Sequence, residues 1–547
     1  MSRVFYSICD GKMTVIARLA VFLLAASMAA LGDEPAVYGE PYEMEGNRLV
    51  FTNWHFVRAG GVGWMDPETK KPVYATHDAK YAPEVCTWNP SPHNPWGIEI
   101  RAYAPSEIRR AEIPPEKPWE SKPITLDCIV EEDGIYKGWG SCGAPCYLES
   151  EDGIHWRRPS LGLVAFEGSK ENNLVPHLPK RHVFIDPTSE DERYKCVWEA
   201  HVSQEAFEAY CAARPGEWST QARRYADGEP FYVCLKGAVS KDGYVWHEIE
   251  RPLVMAHTDT LNIGYYDERL GKYVIYVRTW NTFRRAPAHT EERSDNWLEH
   301  GRRCIGRIEG DDFRNLPLPE TILEAGPAMH PTAGLYTNCF TWAPGAPECL
   351  LMFPAVYYNN NDTLDIWIAS SIDGKAWNWI PGNPLMETAG FGHWDGGCIF
   401  TNPPLMELGD GHFALPYFGS NVPHKYPRGL MEHGWGYALW PHGRLAALVA
   451  EERGAFSTVS LVPPGTKLYL NARTKRAGHI RVAAYDGRRG WPLLEGRALE
   501  DCVPIVGDHP RVQVRWNDAD DLGIAPGAPV MLRFEMQQAE LFAMTFE

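Results

Sequence analysis

Four carboxylates recur at comparable places in this chain of 547 residues. Glu120 follows Trp119, Asp186 stands between Ile185 and Pro187, Asp259 between Thr258 and Thr260, and Asp395 follows Trp394. Each lies at or just before the expected start of the first strand of a β-rich unit, and Asn338 holds the corresponding place in a further unit. Carboxylates gathered this way can cleave a glycosidic bond. One carboxyl group gives a proton to the leaving oxygen, while another attacks the anomeric carbon or activates water. Crowding lifts one pKa, which keeps the acid protonated near neutral pH. Trp88, Trp119, Trp280 and Trp394 offer faces for sugar rings, and Arg278 and His257 can hold hydroxyls or a substrate carboxylate. Glu199 and Glu99 stand in reserve. The competing role for each Asp is structural, because Asp before a strand commonly bonds to nearby backbone.

These residues need a scaffold, and a short repeat supplies its outline. The pattern S-x-D-G-x-x-W occurs at Ser150–Trp156, Ser240–Trp246 and Ser371–Trp377, each time after a strand-like run. Its Asp can bond to backbone two residues on, its Gly can take a positive φ, and its Trp re-enters a strand. Three copies predict one repeated supersecondary unit. Five such units fit between about residues 120 and 440, interrupted by polar excursions at His201–Glu229 and Asn281–Arg302 that can act as lids or be ordinary insertions. Four-stranded antiparallel sheets repeated around an axis make a β-propeller, so the expected fold is all-β with five blades. Asn47–Trp54 is expected to close the ring by joining the last blade. The alternating runs Lys467–Arg473 and Val530–Met536 predict a C-terminal β-sandwich. The expected division is a leader at 1–32, the propeller at 33–442 and the sandwich at 443–547.

Composition narrows the function further. The chain is 44% hydrophobic and 12% aromatic, ample for a packed core. Its formal charge is -18, which repels phosphate backbones and argues against a nucleic-acid partner. Arg18 precedes the apolar run Leu19–Ala26, and Ala30-Leu31-Gly32 fits a cleavage site, as in an export signal. Export to the periplasm or the extracellular space is therefore expected, with no membrane contact beyond the signal; a single membrane anchor is the competing reading of this run, and Met13 is an alternative start. Of 13 cysteines, Cys9 lies in the leader. Export permits disulfides, yet Cys128, Cys196 and Cys234 fall in strand-like runs that suit buried thiols. Cys142 and Cys146 are the nearest pair, and the spacing assigns no connectivity. No zinc-ligand spacing appears in the sequence. The proposed chemistry needs no cofactor, although a structural Ca²⁺ on such carboxylates is compatible with it.

The run Glu149–Pro159, with Gly162-Leu163-Val164 and Asn172-Asn173-Leu174-Val175, resembles exported bacterial proteins related to glycoside hydrolase families 32 and 43. In layout the resemblance covers most of residues 118–546. It implies a five-bladed propeller glycosidase, often with a C-terminal sandwich in the family 32 branch. The family's catalytic set is an Asp on the first blade, an Asp on the second and a Glu on the third. Asp186-Pro187 resembles its transition-state-stabilising Asp-Pro, and Trp64-Met65-Asp66-Pro67 is a loose match to its W-x-N-D-P-N motif. The Glu-Cys motif of the acid has no counterpart in place, because Glu348-Cys349 and Glu500-Asp501-Cys502 lie elsewhere. The expected activity is hydrolysis of an oligo- or polysaccharide by Glu120, Asp186, Asp259 and Asp395. The alternative is a catalytically silent propeller that binds a glycan or a protein. A sialidase-like enzyme or a lyase would instead need an Arg cluster or a Tyr–Glu pair, for which Tyr265, Tyr266 and Tyr357 are available.

Overall fold

The computed structural model describes residues 41–60, 64–65, 68, 72–73, 93–179, 182–226, 229–282, 301–488 and 490–547. Over these residues the chain is nearly all β, and Gln204–Ala213 is its one α-helix among the described residues. Successive up-and-down antiparallel sheets run from Thr125 to Pro441. The first comprises Thr125–Glu132, Ile135–Ser141 and Pro145–Ser150. The second comprises Val183–Ile185, Tyr194–Val202, Glu229–Ser240 and Arg223–Ala226, with His247–Glu248 added against Glu229–Ser240. The third holds Ile263–Asp267, Lys272–Asn281, Arg302–Gly310 and Glu320–Leu323. The fourth unit is split in two. Ala333–Leu335 pairs Ala355–Tyr358, and Phe340–Ala343 pairs Ala346–Met352. The last sheet holds Cys398–Thr401, His412–Ser420 and His433–Pro441.

The three repeated turns explain how neighbouring sheets are fastened. In each, the Asp accepts backbone N–H bonds from two and three residues on: Asp152 from Ile154 and His155, Asp242 from Tyr244 and Val245, Asp373 from Lys375 and Ala376. The Ser hydroxyl accepts the Gly N–H in all three. That geometry aims the Gly carbonyl outward, and a donor from the adjacent sheet takes it. Tyr437 donates to Gly153, Trp139 Nε1 to Gly243 at 2.7 Å, and Tyr276 to Gly374 at 3.0 Å. Gly374 has φ 70, and a Cβ there would lie 2.4 Å from an Arg307 nitrogen, so sterics and backbone both demand glycine. The repeat is thus a staple between sheets as well as a turn.

Apolar clusters lie along the same seams. Trp139 and Tyr147 of the first sheet pack with Val183 and Cys196 of the second. Val197 and Leu235 meet Ile275 and Ile308, and Tyr276 and Ile305 meet Phe340 and Met352. Leu126 and Leu148 pack with Trp435 and Tyr437, so the first sheet also rests on the last. Burying each large side chain contributes about 1.5–3 kcal/mol, so these seams rather than the turns carry most of the stability.

The N-terminal strands correct two expectations. Arg48–Val50, within the run expected to complete the last blade, pairs with Ala543–Thr545 instead. The strand that completes the last sheet is Glu107–Arg110, against Gly436–Leu439. Tyr42–Glu43 and Glu99–Ala102 also join the C-terminal sheet, so the division at residue 442 is crossed by strands from the N-terminal span. Alternation marks a strand but not which edge accepts it. The C-terminal region forms one eight-stranded sheet around Ala446–Ser457, Leu468–Asp486 and Val530–Phe546. Register shifts at Ala450/Arg453 and Thr474/His479 fall opposite Gln537–Ala539, where Gln538 has φ 43. Aligned bulges bend long strands together.

Candidate functional site

Antiparallel pairing brings the start of each first strand, the end of the second and the start of the third to one edge of a sheet. In the third sheet, Ile263 pairs Tyr276 and Trp280 pairs Arg303, so Asp259, Arg278 and Arg303 share that edge. In the second sheet, Val183 pairs Cys196, so Glu199 runs past the first strand to the same level. Tyr336, after Ala333–Leu335, and Tyr357, which pairs Gly334, occupy this edge in the fourth unit.

These residues form one hydrogen-bonded cluster. Glu199 Oε2 accepts from His257 Nδ1 at 2.8 Å and from the Thr258 and Asp259 N–H groups at 2.6 Å. All three donors converge on that one oxygen, and among the described residues Glu199 Oε1 takes no hydrogen bond. The other ring nitrogen of His257, Nε2, lies 3.1 Å from an Arg224 nitrogen, and the His257 and Trp280 rings stack. Arg278 pairs with Asp259, and its Nε donates to the Tyr336 carbonyl at 3.0 Å. Its guanidinium also lies 3.8 Å from the Tyr336 ring centroid. The Tyr336 hydroxyl meets His424 Nε2 at 2.8 Å, and the Tyr357 hydroxyl donates to Asp362 at 2.8 Å.

Asp259 is the carboxylate this cluster presents. Its side chain is 38% exposed, whereas that of Arg278 is 1% exposed. Its backbone sits at φ 45, and Leu261 at φ 51, both in the left-handed region that costs non-glycine residues energy. The two N–H bonds to Glu199 and the pair with Arg278 hold that turn. Burial pushes the Asp259 carboxyl up, but Arg278, His257, Arg224 and Arg303 together outweigh it and leave it below its ordinary value. Asp259 is therefore ionised at neutral pH, the state needed in a nucleophile, a base or a stabiliser of developing positive charge.

The other sequence candidates take other partners. Glu120 accepts the Glu116 and Lys117 N–H groups and pairs with Arg158 at 2.5 Å, its side chain fully buried. Asp186 is a correction of place: it follows Val183–Ile185 at the far end of the first strand, where its N–H closes the hairpin onto Arg193. It is buried against Lys195 at 2.8 Å, the Thr188 hydroxyl and the Tyr273 hydroxyl. Burial pushes both carboxyls up, and Arg158 beside Glu120 and Lys195 beside Asp186 bring them below their ordinary values. Asp395 is buried and accepts from the Tyr417 hydroxyl at 2.7 Å. Asn338 ties Leu261 and Tyr276 carbonyls to its own turn. Trp119 bonds to Asn173, and Trp394 packs on Tyr417 and under Arg110. Glu99 belongs to the C-terminal sheet. Trp88 and Asp66 lie outside the described residues.

So Asp259, Arg278, His257 and Trp280 come together, joined by the reserve Glu199. Arg224, Arg303, Tyr336 and His424 complete the cluster and carry no expectation from the sequence. Glu199 left one trace, a carboxylate directly after the apolar residues Cys196-Val197-Trp198, late in a strand. Arg303 left none, because it follows a polar excursion of similar composition. A different cavity, of about 350 Å³, is lined from all five units, with Ile129, Val183, Tyr265, Trp342 and Leu405 among its walls. None of the four carboxylate candidates lines it. All eleven described cysteines are free thiols, Cys142 and Cys146 included. Among the described residues no group of three His, Cys, Asp or Glu is disposed to hold a metal, and no helix is long and apolar enough to cross a membrane.

No protein-family model matches this chain. No curated protein sequence matches it either. Among solved structures, an N-acetylgalactosamine deacetylase from F. plautii, in complex with blood group B trisaccharide, aligns at 11% identity over 70% of this chain and 94% of its own, with a TM-score of 0.33. A thermostable family-43 glycoside hydrolase aligns at 12% identity over 60% and 89%, TM-score 0.32. A Bombyx mori family 32 β-fructofuranosidase in complex with sucrose aligns at 9% over 80% and 93%, TM-score 0.32. At such scores the likeness is too loose to assign this chain a fold or an activity.

Proposed function

We propose that this chain is an exported glycoside hydrolase whose reaction centre is the Glu199–His257–Asp259–Arg278 cluster. The sheets are read as blades of a five-bladed propeller, because the first sheet packs on the second, the second on the third, the third on the fourth unit and the first on the last, while Thr401 of the last sheet donates to the Phe353 carbonyl of the fourth unit. The bent eight-stranded sheet is read as the accessory sandwich. The observation that carries the activity is Asp259: an ionised, solvent-reaching carboxylate on a strained turn, beside a second carboxylate that holds the turn in place. In this reading Asp259 attacks the anomeric carbon or activates water. Glu199, through the unengaged Oε1, exchanges the proton with the leaving oxygen. His257 and Arg278 orient the two carboxylates, and Trp280 flanks the sugar.

One observation favours a second reading, a silent glycan-binding propeller. Glu120, Asp186 and Asp395 are each committed to structural partners, which leaves a single pair for chemistry. Incubating the mature protein with a panel of aryl glycosides and polysaccharides, followed by product chromatography and a pull-down, separates the two. A released sugar that disappears in Asp259→Asn but persists in Arg511→Met, a control on the strand Asp508–Gln513 of the C-terminal sheet, supports hydrolysis. Glycan retention without release supports binding.

A further inference from the structure

We propose that the bound glycan carries an anionic group, a carboxylate or a sulfate ester, and that Arg303 receives it. This rests on the glycan reading of the site and names the class of sugar.

Arg303 is the second residue of the strand Arg302–Gly310, directly opposite Trp280. Its guanidinium lies 4.5 Å from the Trp280 ring, 5.1 Å from the Tyr357 ring and 5.4 Å from the Tyr336 ring. Three aromatic faces hold the cation. They leave its in-plane N–H edge almost unused. Its one hydrogen bond among the described residues goes from Nη1 to Asn359 Oδ1 at 3.3 Å. Nε is buried and has no acceptor there. No carboxylate of the described residues pairs with Arg303, although this chain carries 71 acidic residues. The contrast with its neighbours is direct. Arg278 is engaged by Asp259 and the Tyr336 carbonyl, Arg158 by Glu120, and Arg307 by Glu309 and Tyr276.

Asp259 acts on Arg303 only at a distance, and a part-buried guanidinium that no carboxylate of the described residues pairs directly is completed by a ligand oxyanion at lower cost than by burial alone. Burial, then the charge on Arg278, push the Arg303 guanidinium down to about 10, still protonated at neutral pH. Nη2, with the weakly engaged Nη1 beside it, can donate to two oxygens of a planar or tetrahedral oxyanion. The aromatic rings around it suit a sugar body, and the net charge of -18 disfavours a polyanionic nucleic acid.

The test measures calorimetric binding of glucuronic acid, galacturonic acid, N-acetylneuraminic acid and glucose 6-sulfate to the full chain. Glucose, galactose and the methyl esters of the sugar acids serve as neutral counterparts. At least one acidic sugar should bind about tenfold or more tightly than its neutral counterpart, the gain expected of a charge-assisted bidentate pair. Arg303→Met should erase that preference. Arg303→Lys should weaken acidic binding about tenfold, since an ammonium lacks the fork. The thermal midpoint of Arg303→Met should not fall, whereas loss of a structural ion pair would lower it. Arg511→Met, an exposed site pairing with Glu547, is the control. Preference among the probes assigns carboxylate or sulfate. Equal binding of acidic and neutral sugars, a preference that survives Arg303→Met, or no binding of any probe overturns the proposal. Acidic sugars bound by a protein that hydrolyses nothing would defeat the hydrolase reading alone. Hydrolysis of neutral glycans without an acidic preference would defeat this inference alone.

Discussion

Replacing Glu199 tests how the site is held together. One of its oxygens serves three donors at 2.6–2.8 Å, and two of these are N–H groups of the turn that carries Asp259. That turn includes two non-glycine residues at positive φ, a strain of about 1–2 kcal/mol each. Glu199→Ala strands all three donors. Each buried orphan costs about 1–3 kcal/mol, and because the Glu199 side chain is 14% exposed, water relieves part of this. The expected loss is therefore about 3–5 kcal/mol. Glu199→Gln keeps an acceptor but removes the charge, and the weakening of about 1 kcal/mol per bond gives roughly 2–3 kcal/mol. Urea unfolding of the full chain, monitored by tryptophan fluorescence, measures both. The ordering Ala worse than Gln, with both clearly below wild type, is the expected result. If both variants lie within about 0.5 kcal/mol of wild type, the turn is not held by Glu199 and the reasoning fails.

Asp186→Asn leaves Lys195, only 1% exposed, without its counter-ion, and should cost about 3–5 kcal/mol in denaturant unfolding while the folded fraction keeps its activity. Trp139→Phe removes the Nε1 bond to Gly243 and opens space at a seam, for a loss of about 1–3 kcal/mol read as a lowered unfolding midpoint. Glu120, Asp186 and Asp259 all have folded pKa values below their ordinary ones. Their stabilisation is thus fully present above the unfolded carboxylate range, about pH 4–5, and is lost as pH falls through the lower folded values. Thermal midpoints followed on acidification from neutral pH should stay level and then drop below about pH 4–5; a midpoint that rises on acidification would contradict the assignment.

What the sequence revealed follows the range of the interactions. The S-x-D-G-x-x-W turns are legible because their hydrogen bonds close within three residues. Their role as staples is not, because Trp139 and Tyr437 reach them from other sheets. Asp259, His257 and Arg278 are legible as polar residues at a strand edge. Asp186 has the same local appearance, but its first strand is only Val183–Ile185, and a short apolar run does not show which end is near the site. Glu199, a reserve carboxylate in the sequence, and Arg303, which left no trace there, reach the cluster from a second and a third strand, so only the register of pairing places them in it. The N-terminal strand shows in the sequence while its partner does not, because an alternating run fits any open edge of suitable pattern.

The most direct test of the central claim is glycan hydrolysis by wild type, Asp259→Asn and Glu199→Gln side by side, with folding checked for each. The account predicts sugar release by wild type and a fall of about 10²–10⁴-fold in both variants at unchanged substrate binding. Wild-type release that persists undiminished in folded Asp259→Asn would contradict it.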